Sequence, residues 1–259
     1  MKLSKNIVTL CLDVGNSHIF GGLFENNQIK LRFRHATMLN HTSDQLGVFL
    51  KTMLRENNFK TVVHKIHISS VVPSLDYSLR SACIKYFKID PTFVRSDLTS
   101  NLKITINNPK ELGADLIANS LAAIKRYSNK NIILIDMGTA TTISVINQKQ
   151  EYLGVAILPG MKLSMDALHI NTAKLFSVEI IESPEVIGKN TTACIQSGLY
   201  FGQLGVIREI TTRVTAEYFK HKKPIIIGTG GFSYLFEKEN IFTVILPDLI
   251  LEGLRDLAP

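Results

Sequence analysis

Apolar and polar residues alternate with two different periods along this chain, and each change of period marks an element. Residues 7–13 are apolar at nearly every position and end on Asp13, which predicts a buried first strand. Residues 19–24 and 28–33 flank the polar turn Glu25-Asn26-Asn27 and predict a hairpin. Residues 42–57 carry apolar positions at helical spacing behind Thr42 or Ser43, either of which suits an N-cap. A strand over 61–69, a helix over 74–87 after Pro73, and short strands near 92–94 and 103–106 follow. Helices over 114–127 and 161–174 then bracket strands at 131–136, 141–147 and 152–158. A long helix runs from Asn190 to about residue 220, followed by a strand at 224–228, a short helix after Gly231, a strand near 242–245 and a closing helix. Mixed strands and helices with no linker or low-complexity segment predict an α/β fold.

Two stretches share one plan. LCLDVGNSHIFGGLF (10–24) and ILIDMGTATTISVIN (133–147) each carry an apolar strand, an aspartate, one apolar residue, a glycine, small or polar residues and a second strand. Asp13 and Asp136 lie nearly half the chain apart, so a duplicated fold is expected, cut into halves at 1–111 and 112–259 with a cleft between them. An aspartate closing an apolar strand is costly to half-bury unless a positive group sits beside it. Gly15 and Gly138 permit tight turns, and turn N–H groups can cradle an anion. Asn16, Ser17, Thr139 and Thr141 add polar donors, while each carboxylate suits a cation that bridges to phosphate. The alternative for a single motif is an aspartate capping its own turn. A pair of them points to a metal-loaded nucleoside triphosphate.

In NNPKELGADLIANSLAAI (107–124), Asp115 falls in the first turn of a helix and shares a face with Asn119. It is read either as an acid complementing the helix N-terminus or as a general base aimed at an acceptor hydroxyl. There is no GxxxxGK[ST] phosphate loop. His64 and His67 fall in a strand-like run, where that spacing sends them to opposite faces. SGLYFG (197–202) and Gly205 place small residues along the long helix, fit for close approach of another helix in the fold or across a dimer. IIIGTGGF (225–232) reads equally as a nucleotide-holding turn or a plain strand-to-helix turn.

Composition narrows the classes. With 259 residues, 45% hydrophobic, 20% charged and mean hydropathy +0.14, this is an ordinary folded chain. The net charge of +7 is spread without long basic runs, which favours anionic small ligands over nucleic acid. The isolated Cys11, Cys83 and Cys194 fit a reducing compartment. The N-terminus lacks the long apolar core of a signal peptide, and no stretch is long enough to span a bilayer, so a cytoplasmic location is expected, with no membrane partner.

DVGNS (13–17), SSVVPSL (69–75), NPKELGAD (108–115), IDMGTATT (135–142), LPGMKLSMDAL (158–168), IGKNTTACIQSG (187–198), TGG (229–231) and LEGL (251–254) occur in that order. Together they resemble type III pantothenate kinase, of the acetate kinase/sugar kinase/Hsp70/actin superfamily. The resemblance implies two ribonuclease-H-like halves per subunit, a homodimer, and ATP-dependent phosphorylation of pantothenate to 4'-phosphopantothenate on the way to coenzyme A. It implies Mg²⁺ or another divalent cation with the ATP, and a monovalent cation, K⁺ or NH₄⁺. By resemblance, Asp13, Val14, Gly15, Asn16, Ser17, His18, Ile19 and Phe20 form the first phosphate loop, with Asp13 near the Mg²⁺–phosphate cluster. Thr139 contacts ATP and Asp136 holds the monovalent cation. Gly113, Ala114, Asp115 and Leu116 line the pantothenate site, with Asp115 as base; Ile106 stands where a substrate-contacting tyrosine is usual, and Thr191 reaches pantothenate across the dimer.

Two residues depart from the family's pattern. Leu116 replaces the usual arginine of GADR and cannot form a charged fork with a carboxylate. Ile106 replaces the usual tyrosine. These departures keep open a nucleotide-binding regulatory relative without catalysis, or a kinase for a related hydroxy compound.

Overall fold

The computed structural model describes residues 7–98 and 101–257; the segment 1–6, used above in the signal-peptide reading, lies outside the described residues. Two compact units emerge. One gathers residues 1–100, 108–122 and 250–259, the other 101–107 and 123–249. The halves expected from sequence, 1–111 and 112–259, follow chain order, whereas these units exchange short pieces of chain.

In the first unit, strands β1 (Val8–Val14), β2 (His18–Glu25), β3 (Gln28–Ala36), β4 (Lys65–Ser70) and β5 (Thr92–Phe93) form a sheet ordered β3-β2-β1-β4-β5. β1 pairs antiparallel with β2 and parallel with β4. Val8, Leu10, Leu12 and Val14 point to one face and build a core with Leu46, Leu50 and Leu54 of α1 (Ser43–Glu56) and Leu75, Leu79, Ala82 and Cys83 of α2 (Pro73–Phe87). Thr42 and Gln45 cap α1 reciprocally, at 2.9 and 3.3 Å, worth about 1 kcal/mol. Thr9, Cys11 and Asp13 point to the other face. That face carries α6 (Leu249–Arg255): the Leu254 carbonyl oxygen lies 2.6 Å from His67 Nδ1, and Arg255 sits 5.2 Å above the Phe24 ring. α3 (Ala114–Arg126) packs on α6 so closely that a Cβ at Gly253 would collide with the Ala118 carbonyl.

The second unit holds β6 (Lys103–Ile104), β7 (Ile132–Met137), β8 (Ala140–Ile146), β9 (Glu151–Pro159), β10 (Ile225–Thr229) and β11 (Val244–Ile245), ordered β11-β10-β7-β8-β9-β6. β7 repeats the connectivity of β1: antiparallel to the next strand, parallel to β10. Ile133, Ile135 and Met137 form a core with Met161 and Met165 of α4 (Met161–Asn171) and Ile195, Leu199, Leu204 and Ile207 of α5 (Thr191–Glu217). The chain is therefore an α/β protein of two ribonuclease-H-like halves, duplicated as the repeated motif predicts and of the type the family resemblance implies.

Several element bounds differ from the sequence reading, among them β3, which runs on to Ala36, and β6, which stops at Ile104. β4 starts at Lys65 rather than 61, because its pairing with β1 begins at Thr9↔Lys65 and Thr61-Val62-Val63 has no strand beside it. α4 stops at Asn171 rather than 174, since Thr172 turns extended and its hydroxyl bonds the Leu168 carbonyl at 2.8 Å. The helix after Gly231 is a 3-10 helix, Ser233–Glu239. None of the described helices is long and apolar enough to cross a membrane.

Candidate active site

Asp13 is the next-to-last residue of β1 and is partly buried. Register places it opposite Phe20 on β2 and Ser69 on β4. Paired residues share a face, so Asp13, Phe20 and Ser69 stand together on the α3–α6 side of the sheet. They lie near the carboxyl ends of β1 and β4, where open α/β sheets receive ligands. Val14 and Ile19 point into the opposite core, so only their backbone is available to a ligand. Asn16, Ser17 and His18 are exposed, and Phe20 is half-buried beneath Arg34 at 4.2 Å.

The first turn is closed by its own backbone. Gly15 N–H donates to the His18 carbonyl at 3.0 Å, and Thr37 clasps the turn from outside. Its N–H donates to the Ser17 carbonyl at 3.0 Å and its hydroxyl to the Gly15 carbonyl at 2.7 Å. The second turn closes the same way, Gly138 N–H donating to the Ala140 carbonyl at 3.1 Å. The two glycine N–H groups are thus engaged within their turns. In the first turn, Asn16 and Ser17 are the exposed residues between the two ends of that bond. Thr37 escaped the sequence reading because nothing in its own neighbourhood marks it; the β2–β3 register brings it there.

Asp115 opens α3, the helix that packs on α6 over the Asp13 face of the first sheet. Its carboxylate accepts the Leu116 N–H at 2.8 Å, and burial pushes its pKa above the ordinary carboxylate value despite that bond. A carboxylate held partly out of water with a raised pKa is the kind that accepts a proton from an alcohol. Gly113 and Ala114 are half-buried just ahead of it. Leu116 is only 7% exposed. From Leu116 to Ile124 the helix is buried on almost every side, rather than along one stripe.

In the second unit, Asp136 is the next-to-last residue of β7, partly buried, paired with Thr142 and Thr229. Gly160 N–H donates to the Thr139 carbonyl at 3.1 Å, and Phe232 N–H to the Met137 carbonyl at 3.2 Å. Both LPGM (158–161) and the TGG turn (229–231) are therefore part of the structure around Asp136. Thr139 is exposed beside it. Thr191 is the exposed first residue of α5, behind the Asn190 cap, and Ile106 is half-buried after β6. So Asp13, Asp115 and Ser69 share one unit, while Asp136, Thr139, Ile106 and Thr191 belong to the other. His64 and His67 are engaged separately: His64 Nδ1 accepts the Val8 N–H at 3.1 Å, and His67 meets the Leu254 carbonyl.

Comparison with known proteins agrees with this construction. A family model described as type III pantothenate kinase matches residues 9–213. The type III pantothenate kinase of Legionella pneumophila (strain Corby) is 53% identical over 247 residues, 95% of this chain and 96% of that protein. Type III pantothenate kinase 1 of Francisella tularensis subsp. holarctica (strain LVS) is 48% identical, and the Elusimicrobium minutum enzyme 40%, over the same shares. Among solved structures, a Campylobacter jejuni protein provisionally named a Baf family transcriptional activator superposes with TM-score 0.56 at 20% identity, covering 95% of each chain. A Sinorhizobium meliloti protein provisionally named a 2-dehydro-3-deoxygalactonokinase does so with TM-score 0.61 at 11% identity, covering 97% of this chain and 98% of that one. These two likenesses concern the fold alone. With paired aspartate turns on duplicated sheets, an acidic helix start, and near-full-length relatives of one description, the chain belongs to the type III pantothenate kinase family.

Proposed function

We propose that this protein transfers the γ-phosphoryl group of ATP to the primary hydroxyl of pantothenate. The observation that carries the proposal is the placement of Asp115: a carboxylate of raised pKa on the same side of the sheet as Asp13. Asp115 accepts the hydroxyl proton, late in a loose transition state. Asn16, Ser17 and Thr139 are offered to the phosphates. The Asp13 carboxylate, with the orphaned Ser69 hydroxyl on its face of the sheet, suits a hydrated divalent cation. Such a cation, when bound, neutralises charge developing on the phosphates. Asp136, beside Thr229 and the TGG turn, is assigned the monovalent cation, K⁺ or NH₄⁺. Thr191 and residues 113–116 are assigned to pantothenate.

A homodimer is part of the same reading. It is supported by α5, where Gly198, Gly202 and Gly205 share one face and a Cβ at any of them meets nothing within 4 Å. A second reading, a kinase for a related hydroxy compound, is favoured by Leu116 and Ile106. ADP release with a panel of hydroxy acids and amides, in K⁺ and then Na⁺, separates the two. Highest kcat/KM for pantothenate supports the first; a better acceptor lacking the carboxylate supports the second.

A further inference from the structure

The duplication allows equivalent positions in the two sheets to be compared, and one pair does not match. Ser69 and Thr229 are the parallel-strand partners of Asp13 and Asp136. The Thr229 hydroxyl donates to the Leu246 carbonyl at 2.8 Å. Ser69 is fully buried, at 0% exposure, and its hydroxyl has no partner. Its neighbour Ser70 is spent on the fold, bonding Asp76 at 2.6 Å and accepting the Val72 N–H at 3.2 Å. Burying a hydroxyl without a partner costs about 1–3 kcal/mol, so one kept beside a carboxylate near a strand's ligand-bearing end is kept for something that arrives.

We propose that Ser69 is a positioning residue for the divalent cation at Asp13, its hydroxyl hydrogen-bonding a water of the cation's shell. The inference rests on the assignment of that cation to Asp13. Three facts favour it. Ser69 shares the Asp13 face, adjacent strands lie about 4.8 Å apart, and Ser69 Oγ makes no bond to the carboxylate itself. Small divalent cations of the Mg²⁺ type retain several waters, and the groups holding those waters set affinity.

The test is a titration of Mn²⁺ with a non-hydrolysable ATP analogue, read by Mn²⁺ electron paramagnetic resonance, on wild type, Ser69→Ala and Ser69→Cys. Thermal unfolding is measured without metal or nucleotide, and KM for pantothenate with both. Expected is about a tenfold loss of Mn²⁺–nucleotide affinity in both variants. The metal-free unfolding midpoint should stay equal to or above wild type, because an orphaned polar group has been removed, and the pantothenate KM should not change. Wild-type Mn²⁺–nucleotide affinity in either folded variant overturns the proposal. So does an affinity loss accompanied by a lowered metal-free midpoint, which is a packing role, or a raised pantothenate KM alone, which places the hydroxyl against the acceptor. The titration does not depend on phosphoryl transfer, so it stands even if pantothenate proves not to be the acceptor.

Discussion

Gly230 rests directly on Asp136: a Cβ at position 230 would lie 2.5 Å from Asp136 Oδ1 and 2.6 Å from Met137 N. Its φ of +82° is one that side-chain-bearing residues rarely adopt. Backbone demand and steric demand coincide at the carboxylate assigned to the monovalent cation. Gly230→Ala is therefore expected to cost about 1–3 kcal/mol in stability, read by urea denaturation, and to raise the K⁺ concentration giving half-maximal activity. Unchanged K⁺ dependence in the folded variant would detach this turn from the cation.

Asp115→Asn separates chemistry from stability. Removing the base is expected to lower kcat about 10²–10⁴-fold. The raised pKa means the folded state holds this proton more tightly than the unfolded chain does. The ionised carboxylate therefore subtracts stability above its folded pKa, and the loss fades as pH falls toward the unfolded value. Asparagine removes that charge and still accepts the Leu116 N–H, so the unfolding midpoint at pH 7.5 should be equal or higher. A slow and destabilised variant would mark Asp115 as a structural cap.

Stability should decline in mild acid, and His67 is a principal reason. It is 2% exposed, and burial holds its pKa below 6.5 in spite of the Leu254 carbonyl. The unfolded chain takes up a proton below 6.5 that the folded protein refuses, so stability is full above 6.5 and lost as pH falls beneath it. His35, stacked on His41 and Phe49, has its pKa shifted in the same direction by burial. Unfolding midpoints at pH 8 and pH 5.5 give the slope, and His67→Asn should flatten it. An undiminished slope would assign the effect to other groups.

Leu116→Arg tests the altered pantothenate side. A guanidinium paired with the substrate carboxylate contributes about 1.5–3 kcal/mol, so KM for pantothenate should fall about ten- to a hundredfold. Leu116 is nearly buried, so the unpaired arginine should lower the unfolding midpoint, and saturating pantothenate should restore it. An unchanged KM would place position 116 away from the carboxylate.

Much of this was legible because it is local. The Asp-x-Gly pattern after an apolar run marks Asp13 and Asp136 within a few residues of sequence, and Asp115 announces itself between Gly113 and an apolar helix. The start of α1 was legible as Thr42 or Ser43, and the structure selects Thr42, capped reciprocally with Gln45. What stayed hidden depends on register between distant strands. Nothing near Ser69 says that it stands beside Asp13, nor does the neighbourhood of Thr37 say that it clasps Gly15. The TGG turn could be read as nucleotide-holding or as plain punctuation, and only the β7–β10 pairing places Gly230 on Asp136. Which N–H groups of the two turns are open to an anion is likewise not written in the sequence; the structure shows the glycine N–H groups closing the turns themselves.

The most direct measurement is phosphorus NMR of the wild-type protein with ATP, Mg²⁺, K⁺ and saturating pantothenate. The account predicts a new phosphomonoester resonance growing in step with ADP, absent without Mg²⁺ and weak when Na⁺ replaces K⁺. ATP left intact, or cleaved to inorganic phosphate with no phosphorylated pantothenate, would contradict it.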